Sequence, residues 1–325
     1  MKHIVCPVCE HQESASEMTA MDIRGHTYHY RRCLHCDSLF MWPQQGLETP
    51  AAHYHPQYYG ESENKFSTPG VEKVLDCFRK QRAKKLLRFL PEKGKGSILD
   101  VGCGNGTFLH ILGKKGDFSL YGSELPGPAA DRSRRFPEIQ LSTSGAFHEE
   151  ITPESLDAVT MFHVIEHLPA PLAYLGKISQ ALKKGGVFYV SFPNIDSWQA
   201  RLFRDKWLHL DPPRHLVLFH PRAFLDQMEK MGFERIYSNS LSAEQNPFGM
   251  VQSLLNRFSE PRDLLFESMK GNTEYLSGAS GLRLFIHRIF FILSFPLFVL
   301  TDMGAAAFGK GATLTFIFRK GEENN

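Results

Sequence analysis

The stretch Ser97–Leu109, SILDVGCGNGTFL, most constrains what this chain can fold into. Ile98, Leu99 and Val101 predict a short buried strand, Gly102, Gly104 and Gly106 follow at alternate positions, and Thr107, Phe108 and Leu109 begin a helical pattern. A strand, a glycine turn and a helix in immediate succession make a ligand site, because glycine tolerates positive φ and, lacking Cβ, lets a ligand lie against the main chain. A dinucleotide fingerprint needs G-x-G-x-x-G, whereas here the glycines run G-x-G-x-G and position 107 is Thr, so the fit to a pyrophosphate is incomplete.

The chain around this stretch alternates strand and helix signals. Phe118 to Gly122 predicts a strand ending at Ser123-Glu124, Pro126 to Phe136 a helix, Ile139 to Leu141 a strand, and Leu156 to Phe162 a strand leading into His163-Val164-Ile165-Glu166-His167-Leu168. Pro171 to Leu182 predicts a helix closed by Lys183, Lys184, Gly185 and Gly186, and Val187 to Phe192 a strand that reaches Pro193-Asn194. Ala223 to Met231 reads as a helix and Phe233 to Ser240 as a sixth strand. This alternation predicts an α/β fold with a parallel sheet covered on both faces, whose ligands sit at the carboxyl ends of the strands. The glycine loop, Glu124, the turn from His163 to His167 and Asn194 all fall at that edge.

At 325 residues the chain suits one large domain with attachments, and its 26 Phe residues point to a very apolar interior. A net charge of +2 offers no electrostatic case for nucleic acid. Lys2 and His3 lead straight into Ile4, Val5, Cys6 and Pro7 without an apolar leader, which reads as a cytoplasmic protein. Four of the six cysteines form two pairs, Cys6-Pro7-Val8-Cys9 and Cys33-Leu34-His35-Cys36, a spacing that supplies four thiolates to a structural Zn2+ in a ribbon over residues 1–45. Four free thiols in a small subdomain are the alternative, and the nearby His11, His26, His29 and His35 read as solvated. Residues 46–70, with Tyr54, Tyr58 and Tyr59, read as a linker arm, and residues 71–325 as the main domain. Val71 to Leu90 has helical period with a strongly basic remainder, a solvated face first and an anion footprint second.

As a set, DVGCGNGTFL, the acid in YGSE, LDAVTMFHVIEHL and LKKGGVFYVSFPN resemble the class I S-adenosylmethionine-dependent methyltransferases. WLHLDPPRHLVLFHP, Trp207 to Pro221, resembles a branch of them with an N-terminal zinc ribbon. The resemblance implies a Rossmann-like sheet of seven strands whose last strand, Ala312 to Arg319, pairs in reverse with the sixth, leaving a helical insertion at about residues 241–311. It implies S-adenosyl-L-methionine as cofactor, with Asp100, Gly102 and Gly104 at the methionine end, Cys103, Asn105 and Gly106 in the same loop, Glu124 on the ribose hydroxyls, and Phe162 and His163 beside the methyl group. The acid that often contacts adenine is missing from Ser142-Thr143-Ser144-Gly145, which leaves Ala146 and Phe147 for apolar contacts. DPPR follows the fifth strand and ends in Arg214, so its likeness to the D-P-P-aromatic signature of nucleobase amino-methyltransferases is accidental. Arg214 and Asn194 are candidate substrate contacts, with a structural salt bridge as the alternative for Arg214.

Methyl transfer is an in-line displacement at a sulfonium, and a hydroxyl acceptor needs a base to take its proton. His163 is the first candidate, followed by His167 and His215, for which structural roles are the alternatives. The expected acceptor is a small molecule, a hydroxyl of a sugar, lipid or quinone-like compound; an RNA methyltransferase with the ribbon as reader and a non-catalytic cofactor-binding module are the rival readings. In the insertion, Ile289 to Leu300 holds only Ser294 as a polar residue and Pro296 as a breaker. Residues 282–308 therefore read as a helical lid or packing helix, then as a peripheral membrane contact, and last as a span.

Overall fold

A computed structural model describes residues 4–44, 70–145, 147–148, 150–272, 274–276 and 279–321. The arm with Tyr54, Tyr58 and Tyr59, and Ala146, lie outside them. The N-terminal part forms β1 (Ser14–Met21), β2 (Thr27–Cys33) and β3 (Leu39–Met41). The alternating part runs α1 (Val71–Phe89), β4 (Lys95–Val101), α2 (Thr107–Gly113), β5 (Asp117–Ser123), α3 (Pro128–Ser133), β6 (Ile139–Ser142), β7 (Leu156–Phe162), α4 (Pro171–Ala181) and β8 (Leu182–Pro193). It continues through α5 (Trp198–Phe203), β9 (Val217–Leu218), α6 (Pro221–Lys230) and β10 (Phe233–Asn239). The insertion supplies α7 (Asn246–Phe258), α8 (Leu264–Lys270) and α9 (Gly281–Ala307) before β11 (Thr313–Lys320).

Seven strands form one sheet in the order β10-β11-β8-β7-β4-β5-β6, parallel except for β11, which runs against both β8 and β10. This is the seven-stranded Rossmann-like sheet expected, with β4 near its centre so that the glycine loop opens at the middle of the carboxyl edge. The phenylalanines explain themselves here: Phe192, Phe219, Phe224, Phe316 and Phe318 pack ring against ring, Phe192 and Phe224 with centroids 4.5 Å apart. Strand β8 starts earlier than the pattern predicts, because the register slips between Leu156 and Ala158 and Gly185 bulges at φ 76°.

One connection was not foreseen. Residues 216–218 leave the large sheet and become the fourth strand of the N-terminal one, where Leu218 pairs with Leu39, Val217 with Phe40, and Met41 N–H donates to the Leu216 carbonyl at 2.9 Å. Leu216 N–H in turn donates to the Glu166 carbonyl at 2.8 Å. Tyr30 is fully buried, and its hydroxyl lies 3.3 Å from the carbonyls of both Leu210 and His215. The loop from Trp207 to Pro221 is thus clamped between the cysteine-bearing sheet and the turn after β7, and one apolar core runs from Val8 and Tyr30 to Val101 and Phe192.

The two helices singled out by composition behave differently from one another. On α1 three of the seven cations are paired, Arg79 with Glu72 and Asp76, Arg82 with Glu244, and Lys85 with the Tyr237 hydroxyl, while Lys73, Lys80, Lys84 and Arg88 are exposed. On α9 the helix continues through Pro296, contrary to its reading as a breaker. A proline removes one intrahelical bond, and packing of α9 along α7 carries the turn past it. Buried His287 and Asp302 face the protein, Asp302 accepting from Asn246 Nδ2 at 2.7 Å, while Leu293 (75 % exposed), Leu300 (64 %) and Ile292 (62 %) point outward. By length and composition α9 is apolar enough to cross a membrane.

Candidate active site

At the end of β4 the main chain turns through Gly102, Gly104 and Gly106, all at positive φ (70°, 59° and 75°), a conformation that costs other residues. The three glycines meet different neighbours. A Cβ on Gly102 would lie 2.4 Å from Val164 and one on Gly106 2.5 Å from the Ser133 hydroxyl, but nothing lies within 4 Å of the same position on Gly104. Among the described residues, the open side of the loop is therefore over Gly104. Gly102 and Cys103 N–H donate to the Ser123 carbonyl, which ties the loop to the end of β5 and brings Glu124 beneath it. The Glu124 carboxylate accepts from Gly104 N at 2.7 Å and Leu125 N at 2.9 Å, so an acid is held at the open glycine. Asn105 accepts from Thr107 N at 3.3 Å and helps start α2.

Asp100 is buried behind the loop and accepts from Thr160 Oγ1 at 2.6 Å. Burial pushes its carboxyl up to about 7, against the Thr160 bond and the charge of Arg82, with Glu124 adding to the rise. Phe162, the last residue of β7, meets Phe108 and Tyr189 edge-on at 5.3 and 4.8 Å, and the Arg82 guanidinium lies 5.0 Å over its ring. Arg82 comes from the basic helix and was not anticipated as a site residue; its only sequence signal was membership of that run.

The chain leaves β7 at His163, which sits in the left-handed region at φ 55° with its N–H donating to the Ser191 carbonyl at 2.8 Å. A single turn of 3-10 helix, Ile165–His167, follows. The His163 side chain is 25 % exposed and its Nδ1 lies 3.3 Å from Glu166 Oε1. Glu166 is fully buried, and among the described residues neither carboxylate oxygen has a hydrogen-bond partner. His167 and His215 stand beside it with ring centroids 4.6 Å apart. His167 Nδ1 faces the Arg214 carbonyl at 2.8 Å and His215 Nδ1 the His209 carbonyl at 2.7 Å; a carbonyl only accepts, so both Nδ1 atoms carry the proton. Burial, together with the neighbouring His215, lowers His167 to about 4, and burial also lowers His215 against the pull of Asp211 and Glu166. Both rings are neutral at physiological pH.

Two expected substrate contacts are corrected here. Arg214 forks onto Asp211, with Nε donating to Oδ2 at 2.8 Å, the structural ion pair that was its alternative reading. Burial pushes the Asp211 carboxyl up, but Arg214 and His215 outweigh it and hold Asp211 well below the usual carboxylate range. Asn194 is fully buried; its amide donates to the Gly311 carbonyl at 2.9 Å and accepts from Asp196 N at 3.0 Å. It clasps the end of β8 to the approach of β11 and presents nothing to a ligand. Cys103 also turns inward, where a Cβ on Gly122 would meet its sulfur at 2.8 Å, leaving only its main chain toward the loop. His167 and His215 are 8 % and 7 % exposed, so they back the site and only His163 opens onto it. Glu166 was overlooked, although its place between His163 and His167 was visible.

At the other end of the molecule the sulfurs of Cys6, Cys9, Cys33 and Cys36 lie within 4.8 Å of one another. Cys6 and Cys36 are 3.7 Å apart and Cys9 and Cys33 3.5 Å, close to the edge of about 3.8 Å that a tetrahedron with Zn–S bonds of about 2.3 Å requires. The two knuckles match: Glu10 N–H returns to the Cys6 carbonyl and Asp37 N–H to that of Cys33, with Glu10 and Asp37 both at positive φ. The donor set fits zinc.

Comparison with known proteins agrees with the geometry. A family model described as a methyltransferase domain matches residues 76–238, half of the chain. The chain is 26 % identical over 159 residues to a ubiquinone biosynthesis O-methyltransferase of Idiomarina loihiensis, covering 44 % of this chain and 64 % of that protein. It is 31 % identical over 108 residues to a protein of the same description from Leptothrix cholodnii, covering 30 % and 44 %. A tRNA U34 carboxymethyltransferase of Desulfotalea psychrophila is 27 % identical over 178 residues, covering 52 % and 54 %. The chain therefore spans from under half to just under two thirds of the length of these relatives. With a glycine loop at the end of β4, an acid at the end of β5 and β11 reversed in a sheet of seven, the chain belongs to the methyltransferase-domain family, among the class I S-adenosylmethionine-dependent enzymes.

Proposed function

We propose that this protein transfers the methyl group of S-adenosylmethionine to a hydroxyl of a small-molecule acceptor, a sugar, lipid or quinone-like compound. The observation that carries the reading is the convergence of an open glycine loop with its own acid, Gly104 and Glu124, and a half-buried histidine, His163, at one edge of the sheet. Asp100 and the main chain from Gly102 to Gly106 would hold the cofactor's cationic end, Glu124 its ribose, and Phe162 its apolar side. In the reaction the acceptor oxygen forms a bond to the methyl carbon, the carbon–sulfur bond breaks with its electron pair kept by sulfur, and the acceptor proton passes to His163. Glu166 beside His163 Nδ1 leaves Nε2 for that proton. The O-methyltransferase relatives favour an oxygen acceptor. The tRNA-modifying relative supports the RNA reading, but two arginines of α1 are paired with carboxylates of the protein and the net charge is only +2.

Two further parts of the proposal concern the attachments. The four cysteines hold a structural Zn2+, which their spacing supports and which leaves no open coordination position. The outward face of α9, residues 282–308, rests on a membrane surface, because its large apolar side chains would otherwise stand in water. Flotation with anionic phospholipid vesicles tests that: the chain should float, and Leu293→Glu with Leu297→Glu should stay in solution. Equal flotation of both would reject the contact.

Calorimetry with S-adenosylmethionine tests the central claim, and absence of binding at millimolar ligand would sink it. Glu124→Ala should weaken the cofactor about tenfold or more, since a charge-assisted contact contributes roughly 1.5–3 kcal/mol. His163→Ala should keep cofactor affinity while losing methylation of a lipid extract followed with labelled donor. Asp100 is raised in the ligand-free protein, so a cation bound beside it displaces a proton below about pH 7. Affinity for the donor should rise about tenfold from roughly pH 6 to 8 and level off above.

A further inference from the structure

We infer that the cavity between α5, α7 and α9 holds the hydrocarbon chain of the methyl acceptor, which makes the acceptor a hydroxyl compound on an apolar tail. The inference rests on the methyl-transfer reading and the membrane contact above. The cavity has a volume of about 280 Å3, and Trp198, Met250, Ala305 and Ala312 line it. Clefts that enclose drug-sized ligands start at about 300 Å3, so this one has the size for a narrow chain. The charged groups in its wall are turned to partners: the Asp302 carboxylate accepts from Asn246 Nδ2 at 2.7 Å and Ser242 N at 3.2 Å, and Lys310 pairs with Asp196. Such a wall suits an uncharged occupant.

The sequence of α9 makes the space and sets where it opens. The large side chains give way at the end of the helix to Gly304-Ala305-Ala306-Ala307, and a Cβ on Gly304 would meet nothing within 4 Å among the described residues. Thr301 and Ala305, one turn apart, face the cavity, while their neighbours Leu300 and Met303 stand in the outward apolar face. Across the mouth the half-exposed Trp198 lies with its ring 5.6 Å from that of Phe308, and Leu202 is exposed beside it on α5. Apolar side chains therefore run without a break from the face that rests on the membrane into the cavity.

The inner end is polar and lies toward His163. Gln199 is 4 % exposed; its Nε2 donates to the Asn246 carbonyl at 2.8 Å, and its Oε1 has no hydrogen-bond partner among the described residues. A buried amide oxygen in that state is costly until an O–H or N–H reaches it, which the head of the acceptor supplies. Gln199 Oε1 and His209 Nε2 approach one point on α7, 3.1 and 2.8 Å from where Gly249 would carry a Cβ. His209 in turn is near enough to His163 for that charge to add to burial in lowering it to about 3. Ala312, in the same wall, accepts from Asn194 N at 2.8 Å at the end of β8, the strand next to β7. The tail thus enters at Trp198, and the oxygen it carries points to the histidine at the end of β7.

Calorimetric titration of the full zinc-loaded chain with 1-butanol, 1-hexanol, 1-octanol and geraniol tests the cavity without reference to turnover. The expected result is one equivalent, with affinity rising about threefold to fourfold per added methylene in the linear series. Gly304→Leu, which puts a side chain into open space and favours the helix, should weaken 1-octanol about tenfold or more, with zinc content and S-adenosylmethionine affinity unchanged. Ala305→Phe, read the same way, covers the case in which the first side chain turns to solvent. No saturable 1-octanol binding at millimolar ligand, a flat series, or undiminished binding by both variants would overturn the inference. Leu293→Glu with Leu297→Glu should lose flotation and keep 1-octanol; loss of both would put the alcohol on the outward face and overturn it as well. Tighter binding of geraniol than of 1-octanol assigns a branched chain and the reverse a linear one, and either supports the site. A chain that binds 1-octanol but does not float would fault the membrane contact alone. Binding of 1-octanol without S-adenosylmethionine would fault the methyl-transfer reading and leave the chain site standing.

Discussion

The cysteine cluster and the Glu166–His167–His215 cluster lie on either side of one short loop and are built on opposite plans. The first takes its donors from two matching local turns, each a Cys-x-x-Cys whose next residue returns a bond to the first cysteine's carbonyl. The second takes two groups from the turn after β7 and one from a loop held to it by the Leu216 N–H bond to the Glu166 carbonyl and by the pairing of β9 with the N-terminal sheet. A local cluster closes on itself and shapes a small sheet. A cluster assembled over distance depends on the fold around it. The difference teaches that the cysteine cluster acts on the site at one remove, by holding the strand that places His215.

Removing one group from each should separate the two plans most sharply. Cys33→Ser should abolish stoichiometric zinc and with it the β1–β2–β3 sheet, because such small ribbons draw on the order of 10 kcal/mol from the metal. Since β9 and the core from Val8 to Phe192 are shared, calorimetric unfolding of the whole chain should move down by about 10 °C or more. Glu166→Gln should leave the midpoint unchanged or slightly higher, because it replaces a buried carboxylate without a hydrogen-bond partner among the described residues by a neutral amide of the same shape. Equal losses in the two variants would break the comparison.

How much of this was legible follows the same division between local and distant. The glycine loop and each Cys-x-x-Cys turn rest on spacings within a dozen residues, where φ preference and periodicity act directly, and they could be read, whereas the seven-stranded sheet with its reversed last strand was legible only as what the family resemblance implies. Glu166 was passed over between two histidines because nothing in a sequence reports that a carboxylate lacks a donor. Asn194 and Arg214 gave no sign of their partners for a related reason: Gly311 and Asp211 are settled by where β11 and the clamped loop end up. The pairing of β9 with β3 gave no signal, since two residues of buried strand carry no period. On α9 the uniform apolarity concealed its direction, and only packing on α7 shows that His287 and Asp302 face inward and the leucines out.

Tyr30 offers the finest probe, because among the described residues it is the one side chain of the cysteine-bearing sheet whose polar atom reaches the carbonyl of His215. Its hydroxyl serves the Leu210 and His215 carbonyls at 3.3 Å each, and its ring fills the core whether or not the hydroxyl is there. Tyr30→Phe therefore removes a positioning bond without opening a cavity, at a stability cost of about 1 kcal/mol and a fall in midpoint of roughly 2–4 °C. Zinc content should stay at one equivalent. If the midpoint holds, the loop is fixed by the β3–β9 pairing alone, and the coupling between the two clusters runs through the main chain.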